Sequence, residues 1–193
     1  MIMEYHRPVL LDESIEWLNV QPGGVYVDLT FGGGGHSRKI LEKLGQNGKL
    51  IAFDRDEDVQ SHMPDDPRFI LVPANYRHLK RFLRFLSGGV VDGVLADLGV
   101  SSHQLDEGER GFSYRTDAPL DMRMGQRSGK TAADVVNFYE KNELARVLGR
   151  YGEIRSASRV AGELVRRRSS GQLETTGQLV EVLKPYAGKS EWK

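Results

Sequence analysis

The sequence predicts an α/β domain built on a doubly wound parallel sheet, joined to a mostly helical module. Three observations carry this. Short β-rich runs alternate with helical patterns through the first hundred residues. Four consecutive glycines, Gly32 to Gly35, stand between the first such run and a helix. From Thr131 onward only helical periodicity remains.

VYVDL (25–29) follows the turn Pro22-Gly23-Gly24 and reads as the first strand. Ser37 is a candidate cap for a helix over 38–44, which Gly45 would end. KLIAFD (49–54), FILV (69–72) and VDGVLAD (91–97) read as the second to fourth strands. Between the last two, Leu79, Phe82, Leu83 and Leu86 recur at helical spacing. Residues 98–130 are loop-like and dense in Gly, Ser, Asp and Arg. Helices are then predicted at about 131–138, 141–151, 154–168 and 175–184. Thr131 and Thr175 are their candidate caps, Gly152 and Pro185 their candidate stops. No strand is expected after residue 100. A boundary is placed near residue 105, giving domains 1–104 and 105–193.

The composition narrows the function classes. At 193 residues and 39% hydrophobic, the chain can bury a real core. It has no cysteine, which excludes disulfides and thiolate metal sites and suits a cytoplasmic location. No run of apolar residues is long enough for a membrane span, and the acid Glu4 speaks against a targeting peptide. Five scattered histidines show no ligand spacing, so no metal is expected. Net charge is zero but uneven: residues 1–140 hold 16 Lys/Arg and 21 Asp/Glu, residues 141–193 hold 11 and 6. A basic second part can meet phosphate, or can be the solvated face of ordinary helices.

A strand, glycines, then a helix form the ligand crevice of a nucleotide-binding sheet, where helix N–H groups and the positive dipole end face the ligand. A dinucleotide fingerprint needs G-x-G-x-x-G. The frames from Gly32 and Gly33 fail at Ser37 and Arg38. An acid four residues ahead of the glycines, Asp28, instead resembles the first unit of S-adenosylmethionine methyltransferases. Asp54 ends the second strand about twenty residues on, where a carboxylate can accept both hydroxyls of a ribose. Asp56, Glu57 and Asp58 read as a solvated helix start. MGQRSGKT (124–131) imitates a phosphate-binding loop, but Met124 occupies the first glycine position and no strand precedes it.

The fourth strand runs into Asp97-Leu98-Gly99-Val100-Ser101-Ser102. Asp97 would face the same crevice. There it could contact the cofactor, or accept the N–H of an exocyclic amine. Such an amine is a poor nucleophile until its lone pair is localised and aimed.

Four segments together resemble the RsmH (MraW) family of bacterial small-subunit rRNA (cytosine-N4)-methyltransferases. They are HRPVLLDESIEWL (6–18), YVDLTFGGGGHSRKIL (26–41), IAFDRD (51–56) and DLGVSSHQLDEGERGFSYRTDAPLDMRM (97–124). TAADVVN (131–137), ELARVLGRYGE (143–153) and TTGQLVE (175–181) continue the likeness. The resemblance implies a Rossmann-like, class I S-adenosylmethionine-dependent methyltransferase fold with an inserted α-helical domain. It implies S-adenosylmethionine as cofactor, 16S rRNA or the small ribosomal subunit as partner, and N4-methylation of one cytosine in the decoding region. Gly34, Gly35 and His36 would form the turn over the methionine end, Asp54 would hold the ribose, Tyr76 would lie near the adenine, and Asp97 and Gln104 would complete the pocket. Asp97 is the candidate catalytic residue. His103 stands where the family commonly has proline, and the Asp-Pro-Pro-aromatic amine motif is absent.

Family members continue well past Lys193, so the chain is expected to be a fragment whose sheet is incomplete, with a fourth strand at an unpaired edge and weak or no activity. The basic excess, including Arg146, Arg150, Arg155, Arg159 and the run Arg166 to Arg168, is the candidate RNA contact. Alternatives are a nonenzymatic RNA- or ribosome-assembly-binding fragment, and an amine methyltransferase acting on DNA or protein.

Overall fold

The computed structural model describes residues 8–101, 104–105, 108–126 and 129–186. His103, the first residues of the 6–18 segment and the last residues of the chain lie outside them. The chain divides into two compact units: 1–102 with 124–126, and 103–123 with 127–193.

The first unit is a four-stranded parallel sheet in the order β3-β2-β1-β4, with β1 Val25–Asp28, β2 Lys49–Asp54, β3 Phe69–Pro73 and β4 Gly93–Leu95. Strand alternation sends alternate side chains to opposite faces. Tyr26, Leu50 and Ala52 meet α1 (Leu11–Leu18) and α2 (Gly35–Lys43) in one core. Val27, Ile51 and Phe53 meet α3 (Leu79–Leu86) in the other. Both faces are therefore covered, as a parallel sheet requires. The strand order reverses between β1 and β4, so ligand chemistry is expected at the carboxyl edge beside β1.

Three local expectations are corrected. Ser37 caps nothing: α2 starts at Gly35 with Gly34 as a left-handed N-cap, and Ser37 turns inward and is fully buried. Glycine removes the steric cost of that left-handed residue, so the helix can begin earlier than the serine suggested. β4 is shorter than 91–97. The Asp92 carboxylate accepts the Val25 N–H at 2.7 Å, and the Asp97 N–H goes to Thr30 Oγ1 at 2.7 Å, so side chains take up one N–H group beyond each end of the ladder. Asp56 is buried rather than solvated. Its Oδ1 accepts the Asp58 N–H at 3.3 Å ahead of a short 3-10 turn, Asp58–His62.

The second unit packs α4 (Ala132–Phe138), α5 (Lys141–Tyr151), α6 (Ala157–Arg168) and α7 (Thr176–Leu183) around Leu120, Val136, Leu144, Val160, Leu164 and Leu173. Thr131 and Thr175 both close capping boxes, each accepting the N–H of the third helical residue. Gly152 ends α5. Pro185 does not stop the chain at once: α7 tightens into a 3-10 turn, Lys184–Tyr186, that contains it. An isolated antiparallel bridge joins Pro119 and Thr175.

Candidate functional site

The carboxyl edge of the first unit's sheet gathers most of the chemistry-bearing residues. β1 delivers the chain to the glycine turn. The Phe31 N–H donates to Phe53 O at 3.0 Å, and the Gly34 N–H to Phe31 O at 2.8 Å, so the turn is stitched to β2 and to itself. Gly32 and Gly34 take φ of 50° and 76°. A Cβ on Gly34 would lie 2.9 Å from Phe31 Cε2, and one on Gly35 would lie 2.4 Å from Pro8 Cγ. These positions need glycine for conformation and for close approach. With no side-chain cap on α2, its first N–H groups and positive dipole end stay available at this edge.

Asp54 closes the turn from the next strand. Its Oδ2 accepts the Gly32 N–H at 2.9 Å and its Oδ1 accepts the Asp56 N–H at 2.9 Å. Each carboxylate oxygen carries two acceptor lone pairs, so capacity remains for a ligand hydroxyl.

Beneath the turn lies Asp28, which is fully buried. Ser37 Oγ–H donates to its Oδ2 at 2.7 Å and the Thr30 N–H to its Oδ1 at 3.0 Å. Burial pushes its carboxyl above the usual range, partly offset by these two hydrogen bonds and by the nearby His36. His36, on the first turn of α2, is buried with its Nε2 lacking any hydrogen-bond partner among the described residues. A buried polar nitrogen without a partner is costly and marks a place where a ligand or water belongs. Arg38 steadies the outside, donating to Gly33 O at 2.7 Å and His62 O at 3.0 Å.

The remaining predicted residues divide. Tyr76 opens the 3-10 turn Tyr76–His78 just past β3 and is 44% exposed. Asp97 lies two residues past β4 with an exposed side chain, its backbone tied to Thr30. Thus Gly34, Gly35, His36, Asp54, Tyr76 and Asp97 all sit at the carboxyl edge of one sheet. Gln104 does not join them in this unit: it belongs to the second, where it is buried.

Sequence reasoning missed the structural parts played by Asp28, Thr30, Ser37 and Arg38. An acid closing an otherwise apolar strand, VYVD, was the available signal for Asp28. Among the described residues no group of His, Cys, Asp or Glu could hold a metal, and no helix is long and apolar enough to cross a membrane.

In the second unit the arginine run is mostly structural. Arg168 donates to Val136 O at 3.1 Å and Tyr139 O at 2.7 Å, closing the end of α4. Arg166 pairs with Glu163. Arg146, Arg150, Arg155 and Arg159 are exposed.

A family model described as the MraW methylase family matches residues 3–193. A curated relative named ribosomal RNA small subunit methyltransferase H, from Bacteroides fragilis, is 51% identical over 189 residues, covering 98% of this chain and 62% of its own. Its namesake from Parabacteroides distasonis is 52% identical over 190 residues, covering 98% and 62%. That from Flavobacterium johnsoniae is 54% identical over 184 residues, covering 95% and 61%. The chain thus spans about 62% of the length of curated relatives it matches.

Proposed function

The chain belongs to the MraW methylase family, and we propose that it binds S-adenosylmethionine at the carboxyl edge of its sheet, as part of a machinery that methylates small-subunit ribosomal RNA. The observation that carries this is the glycine turn locked to Asp54. The Gly32 N–H holds Asp54 Oδ2 at 2.9 Å, which aims a carboxylate with spare lone pairs at the space over a turn that has no Cβ atoms.

The residues present fit such a cofactor. Asp54 can accept the two ribose hydroxyls. The uncapped start of α2 and the unpartnered His36 Nε2 offer donors to a carboxylate at the methionine end. Tyr76, half exposed beside the end of β3, offers an aromatic face to an adenine. The buried Asp28 supports the turn from below through Ser37 and Thr30. S-adenosylmethionine, when bound, supplies a methyl group on a positively charged sulfur.

The finer reading is N4-methylation of one cytosine in the decoding region. The residue suited to it is Asp97: its backbone is fixed to Thr30, its carboxylate is exposed, and it can accept an N–H of the cytosine amine. Orienting the amine in this way localises its lone pair and supplies the positional part of catalysis. In the second unit, Arg146, Arg150, Arg155 and Arg159 are suited to hold phosphates, because they are exposed and make no ion pair among the described residues.

Isothermal titration of the chain with S-adenosylmethionine tests the reading. Saturable binding that Asp54→Ala abolishes supports it. Absence of binding by the unaltered chain, with RNA binding retained, favours the nonenzymatic alternative.

A further inference from the structure

The outer face of α3 is chemically unlike the rest of its unit. Residues 8–66 carry eleven Asp/Glu against five Lys/Arg, whereas residues 67–91 carry five Lys/Arg and no acid. α3 buries Leu83 and packs Leu79, Phe82 and Leu86 against the sheet, with Phe82 edge-on to Phe53 at 5.8 Å between ring centres. That stripe turns the opposite face to solvent. Lys80, Arg81 and Arg84 are exposed, and Phe85 is 83% exposed. None of the three cations makes an ion pair among the described residues. Arg77, in the turn just before, extends the row.

A solvated helix face ordinarily interleaves acids with bases, since opposite charges a turn apart help the helix and like charges hinder it. Here Lys80 and Arg84 stand one turn apart, ~6 Å along the axis, and so do Arg81 and Phe85. The helix keeps a locally unfavourable row of cations inside an acidic unit, with a large aromatic among them. Interleaved cations and exposed aromatics suit single-stranded nucleic acid, whose phosphates take the charge and whose bases take the ring. The row starts beside Tyr76, so a strand lying along α3 reaches the carboxyl edge of the sheet. Phe85 is the one large apolar side chain that α3 exposes, too little to seat a helix in a lipid interface.

We propose that the Arg77–Phe85 face binds the RNA substrate, with Lys80, Arg81 and Arg84 on phosphates and Phe85 stacked on an unpaired base. The proposal deepens the ribosomal RNA reading and rests on it.

The test uses the whole chain and a fluorescein-labelled single-stranded RNA oligonucleotide of mixed sequence, read by anisotropy over a potassium chloride series. The same proteins are titrated with S-adenosylmethionine and checked by circular dichroism. The triple variant Lys80→Gln/Arg81→Gln/Arg84→Gln should flatten the log–log salt slope by about 2, at about 0.7 per phosphate contact. Phe85→Ala should weaken binding about tenfold. Cofactor binding should be unchanged in both. If the triple variant does not fold, Arg84→Gln alone should flatten the slope by about 0.7. An unchanged slope, no RNA binding by the unaltered chain, or binding to phosphatidylglycerol vesicles in preference to RNA would overturn the proposal. Failure of the unaltered chain to bind S-adenosylmethionine would instead count against the function proposed above, whatever the RNA result.

Discussion

The backbone N–H of Gly32 donates to the Asp54 carboxylate at 2.9 Å, across 22 positions of sequence. This bond couples the end of β2 to the turn that follows β1. It makes the orientation of Asp54 and the shape of the glycine turn one structural unit. A change to either should therefore be felt by the other.

Glycine substitutions should separate strain from crowding. Gly34→Ala places a Cβ 2.9 Å from the buried Phe31 ring in a residue at φ 76°. The left-handed conformation alone costs about 1–2 kcal/mol, and the contact with Phe31 adds to it. Gly32→Ala meets nothing closer than 4.0 Å and should cost about 1–2 kcal/mol from conformation only. Urea denaturation should rank Gly34→Ala as the less stable, and equal midpoints would remove the role given to Phe31.

Asp28 should make stability depend on pH in a direction opposite to most acids. Burial raises its folded carboxyl above the ordinary 3.8. Its contribution is then full below that ordinary value and is lost as pH rises through the folded one. Asp28→Asn removes the titration while leaving groups that can still meet Ser37 and Thr30. The stability of the variant relative to the unaltered chain should rise with pH above 4 and then level off. A pH-independent difference would contradict the buried charge.

Asp66 shows the usual sign. The Arg68 guanidinium beside it, 2.5 Å away, holds its carboxyl down at about 2. The stability it contributes is present above the ordinary carboxylate value and is lost as pH falls toward 2. Asp66→Asn should flatten the acid limb of a thermal-denaturation profile in that window. An acid limb identical to that of the unaltered chain would count against the pair.

Arg166 and Arg168, two residues apart in one basic run, should behave differently. Arg168→Ala leaves the carbonyls of Val136 and Tyr139 without their charged donor and should cost about 1–3 kcal/mol. Arg166→Ala breaks an exposed pair with Glu163 and should change stability by less than about 1 kcal/mol. Equal effects in chemical denaturation would remove the capping role of Arg168.

How much the sequence disclosed follows the range of the forces involved. β2 was readable to its ends, because Leu50 to Phe53 form a continuous apolar run bounded by Lys49 and Asp54. The α4 and α7 starts were readable because Thr131 and Thr175 act on residues three positions away. The place of Asp54 at the end of β2 was readable from the same run, whereas its bond to the Gly32 N–H was not. Ser37 was misread because its partner, Asp28, lies on another element. Arg168 was misread as part of a charged run because the carbonyls it closes are about thirty residues away. The basic face of α3 was hidden by averaging charge over residues 1–140, where the surrounding acids outnumber it.

The most direct measurement is calorimetric titration of S-adenosylmethionine into the chain and into Asp54→Ala, with circular dichroism showing both folded. One saturable site in the unaltered chain and none in the variant is the predicted result. Equal affinity of the two proteins, or no binding by the folded unaltered chain, would contradict the assignment of the cofactor to the turn that Gly32 and Asp54 hold together.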